Sequence, residues 1–281
     1  MTGTPVLETP VIEARYLTVD GGLAYVEQAG AGPAVVCVHS AGQSGVQWRY
    51  TLGALAARGY RVIVPDLPGH GRSEPAPGGP VTDLGVYAGW LESLLAALDV
   101  DRPFVVGCSI GGKITLDLAT RMGNRLRGAL SMAAAAGPGR ISLSGLRREL
   151  EDVAAPSRAD RTFLGTLAVV GSAVPPGRAE LIAQMHRRED PVVSTSDLIG
   201  WGSHDVRDRL DAAACPALVV VGEDDLWVDA DAVRATAEAM PHARYLLLEG
   251  IGHYPMEELE DPAAWFDARL SELAGVTAGA R

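Results

Sequence analysis

Apolar residues along the chain fall into two kinds of segment, which alternate. Short, nearly continuous apolar runs are typical of strands in a parallel sheet, and the run Ala34–Val38 has the pattern of a strand buried on both faces. These runs are Ala34–Val38, Arg61–Pro65, Phe104–Gly107, Leu126–Ala134, Ala217–Val221 and Ala243–Leu248. Segments with apolar residues at helical spacing lie between them, at Trp48–Ala57, Leu84–Leu98, Lys113–Arg121, Ala230–Met240 and Met256–Leu273. The alternation predicts an α/β fold with a doubly wound, mostly parallel sheet.

The beginning of the chain has a different pattern. Arg15–Val19 and Leu23–Gln28 alternate between apolar and polar residues, and Asp20-Gly21-Gly22 between them has the composition of a tight turn. We expect an antiparallel hairpin ahead of the parallel strands.

The strand–helix alternation stops between Gly137 and about Ala214. This segment has helical patterns interrupted by glycine and proline, and no part of it resembles a sheet strand. A helical block between two sheet strands cannot lie in the sheet, so we expect it to cover the ligand-binding edge as a cap. The predicted organisation is a core in two parts, residues 1–136 and 215–281, with a helical cap at residues 137–214.

Composition limits the class of protein. The chain has 281 residues, of which 47% are hydrophobic, enough for one large core with a modest insertion. Its net charge of -11 argues against binding to nucleic acid or to an anionic membrane surface. Met1–Pro10 lacks the basic and apolar regions of a secretory signal, and no apolar run approaches the length of a membrane span.

The cysteines indicate neither disulfides nor a metal site. Cys37, Cys108 and Cys215 are an odd number, lie far apart and have no metal-ligand spacing. We expect reduced core thiols in a cytoplasmic protein that uses no metal or cofactor. The sequence pattern predicts no particular oligomeric state.

The sequence Gly107-Cys108-Ser109-Ile110-Gly111-Gly112 lies between a predicted strand and a predicted helix, which is the context of a nucleophile elbow. At such a turn the serine oxygen is exposed, and small residues two positions away on each side let the chain segments pass. Ser109 is therefore the candidate nucleophile. The N–H of Ile110, at the start of the helix, would face the oxygen of an attacked carbonyl.

Other chemistry falls at the same edge of the predicted sheet, because several loops there follow the carboxyl ends of strands. The loop His39–Gly42 has small residues that let backbone N–H groups approach a substrate, and by position Ala41 is the expected second oxyanion donor. Gly222–Asp225 supplies acids and Gly252–Glu257 supplies His253. A serine needs a histidine to take its proton, and the histidine needs a carboxylate to fix its tautomer.

These motifs together resemble the α/β-hydrolase superfamily, in its branch of capped esterases, lactonases, C–C hydrolases and cofactor-free haloperoxidase-like enzymes. The resemblance covers about residues 17–273. It implies an α/β-hydrolase fold and a catalytic triad of Ser109, Asp225 and His253. The family's acid stands three positions after the glycine that ends the strand, which favours Asp225 and leaves Asp224 and Asp229 as competitors.

The resemblance implies a serine hydrolase of a small to medium, fairly apolar ester or lactone, with a small molecule as its partner. The same triad would serve a C–C hydrolase or a perhydrolase, although Cys108 stands where ring-cleavage C–C hydrolases usually have asparagine. A ligand-binding protein on this fold is the alternative from another class, and turnover of an activated ester separates the two.

Further residues could contact a substrate. Ser40 stands where the family commonly has glycine, so its side chain would lie near the oxyanion site or the substrate. Apolar candidates for lining the pocket are Trp48, Met132, Trp201, Trp227 and Tyr254. We expect a structural role for His70, a surface position for His186 and His204, and a solvent-facing or salt-bridged side chain for Lys113.

Overall fold

The computed structural model describes residues 10–151 and 158–279. Within these residues, eight strands form one sheet in the order β1-β2-β4-β3-β5-β6-β7-β8. The strands are β1 Ile12–Val19, β2 Gly22–Ala29, β3 Ala34–Val38, β4 Arg61–Pro65, β5 Phe104–Cys108, β6 Gly128–Met132, β7 Ala217–Gly222 and β8 Ala243–Leu248. The β1–β2 hairpin is antiparallel and joins β4 in an antiparallel pair, whereas all later pairs are parallel. The predicted fold class and opening hairpin are confirmed.

The helices of the core pack against the sheet and against one another. Those outside the segment between β6 and β7 are α1 Leu52–Ala56, α2 Leu84–Ala97, α3 Ile110–Met122, α8 Ala230–Ala239, α9 Pro255–Glu258 and α10 Pro262–Gly279. Helix α1 packs against α10, while α2 packs against α3. Because helices cover the sheet, every residue of β3, β5, β6 and β7 is buried, which explains their continuous apolar sequences.

Two predicted helices differ from the observed ones. The segment predicted as one helix from Trp48 to Ala57 contains the end of a short 3-10 helix, Gly45–Trp48, and the separate helix α1. The predicted helix Met256–Leu273 is broken between α9 and α10. Pro262 causes this break, because a proline disfavours helical backbone in the preceding residue. Asp261 then caps the new helix by accepting the N–H of Ala264 at 2.9 Å.

The described residues between β6 and β7 contain helices and no strand. The helices are α4 Leu143–Glu151, α5 Arg158–Val169, α6 Pro176–His186 and α7 Pro191–Ser203. Two prolines that interrupt the sequence pattern are the first residues of α6 and α7, where the missing N–H costs no hydrogen bond. Asp190 caps α7 by accepting the N–H groups of Val192 and Val193. We call residues 137–214 the helical insertion.

A buried carboxylate joins the helical insertion to the core. Asp197 of α7 accepts hydrogen bonds from the N–H of Gly42 at 2.8 Å and from the hydroxyl of Tyr87 at 3.0 Å. Its third partner is the Nε2 of His70, at 2.8 Å. The other ring nitrogen of His70 lies 3.1 Å from the carbonyl oxygen of Pro68, so both nitrogens face acceptors and the ring is held as an imidazolium.

The pKa of His70 reflects this environment. Burial alone would lower the pKa, but the charge of Asp197 and its hydrogen bond outweigh burial and raise the pKa above its ordinary value. The cation and the carboxylate are both fully enclosed, so the pair is expected to be sensitive to the loss of either member.

We expect Asp197→Asn to lower the free energy of unfolding by about 3–5 kcal/mol at about pH 6, because it leaves the His70 cation unpaired. The contribution of a raised pKa is present below the unfolded value of about 6.5 and is lost as the pH rises through the folded pKa. The difference between wild type and variant should therefore narrow towards alkaline pH in urea unfolding experiments. The exposed Asp208→Asn is the control, and a gap that stayed constant with pH would contradict the assignment.

Candidate active site

Ser109 occupies a strained turn between β5 and α3. Its backbone has φ +59° and ψ -120°, outside the regions that residues with a side chain normally adopt. The turn is held on both sides: the N–H of Ser109 donates to the carbonyl of Met132 at 3.0 Å, and its own carbonyl accepts from the N–H of Lys113 at 3.0 Å. Strain of this kind persists where the surrounding structure over-determines it.

The glycines on either side of Ser109 are required by close backbone approach. A Cβ at Gly107 would lie 2.1 Å from the carbonyl oxygen of Gly111. A Cβ at Gly111 would lie 2.4 Å from the carbonyl oxygen of Val38 in β3. The motif therefore has the steric basis that the sequence indicated.

His253 and Asp225 form a buried pair. The Nδ1 of His253 lies 2.8 Å from Oδ2 of Asp225, and their side chains are 2% and 0% exposed. The other oxygen of Asp225 accepts the N–H groups of Trp227 at 2.9 Å and Val228 at 3.2 Å. Both carboxylate oxygens are thus occupied, and the bond to Nδ1 leaves Nε2 as the nitrogen that can accept a proton.

The competing carboxylates have other partners. Asp224 accepts the N–H of Ser172 at 2.7 Å, and this hydrogen bond lowers the pKa of Asp224. Asp229 caps α8 through the N–H of Asp231 at 3.0 Å. Of the three candidate acids, the structure brings Asp225 to His253.

The loop after β3 presents the N–H of Ala41 beside the elbow serine. Its neighbours in the loop donate within the protein: Ser40 to Oε1 of Gln47, Gly42 to Oδ2 of Asp197 and Gln43 to the carbonyl of Ser40, at 2.8, 2.8 and 3.1 Å. The N–H of Ala41 donates to no other residue that the structure describes. Ile110 begins α3, so its N–H has no acceptor within the helix. These are the two residues expected to supply oxyanion donors.

A second buried network holds this loop. The amide of Gln47, which accepts from Ser40, also donates to Oε2 of Glu257 at 3.2 Å. Glu257 pairs with Nε2 of His186 at 2.5 Å and with Arg49 at 2.6 Å. Burial would raise the pKa of Glu257, but the charges and hydrogen bonds of His186 and Arg49 lower it. The loop after β3 is therefore connected to α6 and α9 through an ionised, fully buried carboxylate.

The expectation that His186 and His204 lie at the surface is wrong. His186 is buried in the network just described. His204 is also buried, with Nε2 3.5 Å from Oδ2 of Asp117 in α3. Neither histidine lines the cavity beside Ser109.

His39 and His70 have structural roles in the loops around the site. The Nε2 of His39 accepts the N–H of Leu67 at 3.0 Å, so its Nδ1 carries the proton and donates to the carbonyl of Ser40 at 2.9 Å. Burial, with the adjacent His70, lowers the pKa of His39 to about 4, and the ring therefore remains neutral. The neutral tautomer links the loop after β3 to the loop after β4.

Ser109, His253 and Ala41 line one cavity of about 940 Å³ between the sheet edge and the helical insertion. Four of the expected substrate contacts line it too: Ser40, Trp201, Trp227 and Tyr254. The rings of Trp227 and Tyr254 lie with their centroids 4.9 and 4.8 Å from that of His253.

Trp48 and Met132 do not line the cavity. Trp48 is fully buried and packs against Phe266 of α10, with ring centroids 5.6 Å apart. Met132 is fully buried at the end of β6, opposite Cys108. Both are core residues, because the sheet and its helices enclose their side chains and a ligand in the cavity cannot reach them.

Lys113 is a cavity residue that the sequence interpretation missed. Its side chain is buried, and Nζ donates to the carbonyls of Ala135, at 3.0 Å, and Gly137. It also lies 4.6 Å from the ring centroid of Trp201. Burial lowers its pKa to about 8. The helical spacing could have predicted this position, because Lys113 is one turn after Ser109 and so lies on the same face of α3.

The cysteine beside the nucleophile faces away from the cavity. The Sγ of Cys108 donates to the carbonyl of His253 at 3.1 Å, and burial raises its pKa well above the ordinary value. Cys37 and Cys215 are likewise buried and free, which confirms that the three cysteines are core thiols.

Residues 10–151 and 158–279 contain no group of three or more histidine, cysteine, aspartate or glutamate residues that could hold a metal ion. No described helix is long and apolar enough to span a bilayer.

Comparison with known proteins gives matches along most of the chain. A hydrolase of 2-hydroxy-6-oxo-6-phenylhexa-2,4-dienoate from Burkholderia cepacia is 26% identical over 253 residues, which cover 84% of this chain and 87% of the relative. An esterase from Thermogutta terrifontis has a TM-score of 0.78 at 25% identity, over 93% of this chain and 99% of the esterase. The enol-lactonase from Burkholderia xenovorans LB400 shares the fold, with a TM-score of 0.79 at 23% identity over 92% of this chain and 99% of the lactonase.

A family model described as the alpha/beta hydrolase family matches residues 35–268. This range begins in β3 and ends in α10, and it includes the elbow, the acidic turn and the histidine loop. The sequence resemblance is confirmed, and the chain belongs to the α/β-hydrolase family.

Proposed function

We propose that the protein is a serine hydrolase that cleaves a small to medium apolar ester or lactone through an acyl-enzyme on Ser109. One observation carries the proposal: the buried His253, paired with Asp225 at 2.8 Å, lines the same cavity as a serine held in an elbow. Ala41 lines the same cavity, and its N–H, which has no partner among residues 10–151 and 158–279, adds an oxyanion donor. A discarded active site would not need a buried, fully hydrogen-bonded histidine and carboxylate at this place.

The proposed reaction uses each of these groups in turn. Ser109 attacks the carbonyl carbon while Nε2 of His253 takes its proton, and Asp225 stabilises the resulting imidazolium. The N–H groups of Ala41 and Ile110 bind the oxyanion, and the N-terminus of α3 adds a favourable dipole. His253 then protonates the leaving alcohol oxygen, and water, activated by the same histidine, hydrolyses the acyl-enzyme.

The helical insertion is proposed to act as a cap that selects the substrate. The cavity of about 940 Å³ lies at the upper end of the usual range for small-molecule sites. Its apolar lining includes Trp201 from the insertion and Trp227 and Tyr254 from the core, which suits an apolar acyl or ring group. The insertion also contributes polar side chains to this lining, and two of them, Arg158 and Glu189, form a salt bridge 3.0 Å long. The others are Arg140, Ser142, Arg161, Thr162 and Ser194.

Cleavage of a C–C bond by the same triad is the second candidate. The Burkholderia cepacia relative is named as a hydrolase of 2-hydroxy-6-oxo-6-phenylhexa-2,4-dienoate, a keto acid that has no ester bond to hydrolyse. Cys108 weighs against it, since its side chain points to the carbonyl of His253 and offers the cavity no amide group. Assaying an activated ester and a ring-cleavage product side by side distinguishes the two activities.

Ser109→Ala should abolish turnover of an activated ester and leave the fold intact, because only the attacking oxygen is removed. A fluorophosphonate probe should label the wild-type protein and not this variant, as read by intact mass. Ser144→Ala, at an exposed serine of α4, is the matched control and should label fully. Labelling that persisted in Ser109→Ala would show that another residue is the nucleophile.

Asp225→Asn should lose about 10² to 10⁴ in kcat, because the amide no longer fixes the tautomer of His253 or stabilises its charged form. Asp224→Asn and Asp229→Asn should stay within about tenfold of wild type. The three variants are compared on one activated ester, with circular dichroism to verify folding. A severe loss confined to Asp224 or Asp229 would overturn the choice of acid.

Substitutions at Trp201 and His186 should have different effects, although both residues lie in the helical insertion. Trp201→Ala removes a wall of the cavity, so kcat/KM should fall more for a bulky ester than for a very small one. His186→Gln disturbs Glu257 and the loop that presents Ala41, so it should reduce both reactions alike. Parallel losses in both variants would argue against a pocket built by the insertion.

A further inference from the structure

The loop that carries His253 is clamped to the turn between α5 and α6 of the helical insertion. The N–H of His253 donates to the carbonyl of Val169 at 2.9 Å, and the N–H of Ala173 donates to the carbonyl of Gly250 at 2.9 Å. The approach is so close that a Cβ at Gly252 would lie 1.8 Å from the carbonyl oxygen of Val169. The two backbones are therefore in direct contact, with no side chain between them.

Glu258 bridges the two segments. Its Oε2 accepts the N–H of Gly252 at 2.6 Å and the N–H of Gly171 at 2.9 Å, and its Oε1 accepts the N–H of Tyr254 at 2.8 Å. Gly252 and Tyr254 flank His253. With the bond from His253 to Val169, three consecutive N–H groups of the loop are fixed by Glu258 and the insertion.

The carboxylate of Glu258 is buried without a cationic partner among the residues that the structure describes. Glu258 is 3% exposed, yet it forms no ion pair with a lysine, arginine or histidine among residues 10–151 and 158–279. Burial raises the pKa of Glu258 against the lowering effect of its three N–H partners. A buried carboxylate without a cation lowers the stability of the fold. We therefore expect the role of Glu258 to be the geometry that it imposes on the backbone.

We propose that Glu258 is a positioning residue for the proposed serine hydrolase reaction: it fixes the backbone on both sides of His253 and makes the Val169–Ala173 turn part of the catalytic frame. The inference rests on the proposed function. Glu258 acts through His253 and does not line the cavity, so its loss should affect the chemical steps and leave substrate binding unchanged.

Glu258→Gln tests this directly, because it keeps the shape but replaces one acceptor oxygen with an NH₂ group that faces N–H donors. We expect kcat on an activated ester to fall about 10- to 100-fold, with KM within about threefold, since small displacements of a catalytic group carry large costs. The exposed Glu260→Gln is the matched control and should behave as wild type.

A second readout needs no turnover. The Nδ1 proton of His253, hydrogen-bonded to Asp225, should give a downfield NMR resonance that is identified by its disappearance in Asp225→Asn. In Glu258→Gln this resonance should shift or broaden. If Glu258 only stabilised the fold, the melting temperature would fall while the resonance and the kcat of the folded protein stayed unchanged, and that result would overturn the proposal.

Glu258→Asp keeps the charge but withdraws both oxygens by one methylene, and it replaces Glu258→Gln if that variant does not fold. An unchanged kcat and resonance in Glu258→Asp would likewise overturn the proposal. Failure of the proposed function has a different signature: wild type would not turn over esters or would stay active as Ser109→Ala, whereas the His253 resonance would still report on Glu258.

Discussion

The attachment of the helical insertion by buried carboxylates is the constraint on which the site depends. Asp197 joins α7 to the loop after β3, Glu257 joins α6 to the same loop through Gln47, and Glu258 joins the α5–α6 turn to the histidine loop. Water competes poorly for these groups because they are enclosed, so each hydrogen bond has a well-defined geometry. The loops that carry the candidate catalytic residues are thus held from both sides, by the sheet and by the insertion.

The contacts that position Ser109 and the neighbouring loops are distinct from the side chains that line the cavity. The sheet and the elbow fix Ser109 through backbone contacts so close that they admit only glycine, and the carboxylate networks fix the loops around it. The cavity wall also includes side chains of the insertion, such as Leu198 and Trp201, that form no hydrogen bond to those carboxylates. Proteins of one fold can act on different substrates, because the residues that line the cavity are separate from those that position the catalytic groups.

The sequence predicted the parts whose signal is local. Continuous apolar runs gave β3, β4 and β8 with their observed ends, and the glycines around Ser109 indicated the elbow. Burial by distant partners has no local signal: His186 meets Glu257 across 71 positions, and Lys113 is covered by a loop and a tryptophan from the insertion. For the same reason Trp48 and Met132 could not be separated from the true cavity residues, because an apolar side chain looks alike in a core and in a pocket.

The direction of the Cys108 side chain has a consequence for chemical damage. A thiol adjacent to a nucleophilic serine would ordinarily be a weak point, because peroxides and electrophiles attack the thiolate form. Here the thiol is enclosed and donates to the carbonyl of His253, and burial raises its pKa well above the ordinary value, which disfavours the thiolate. The proposed nucleophile Ser109 is therefore followed back along the chain by a thiol whose reactive form is disfavoured, and we expect oxidants that enter the cavity to leave this thiol unmodified.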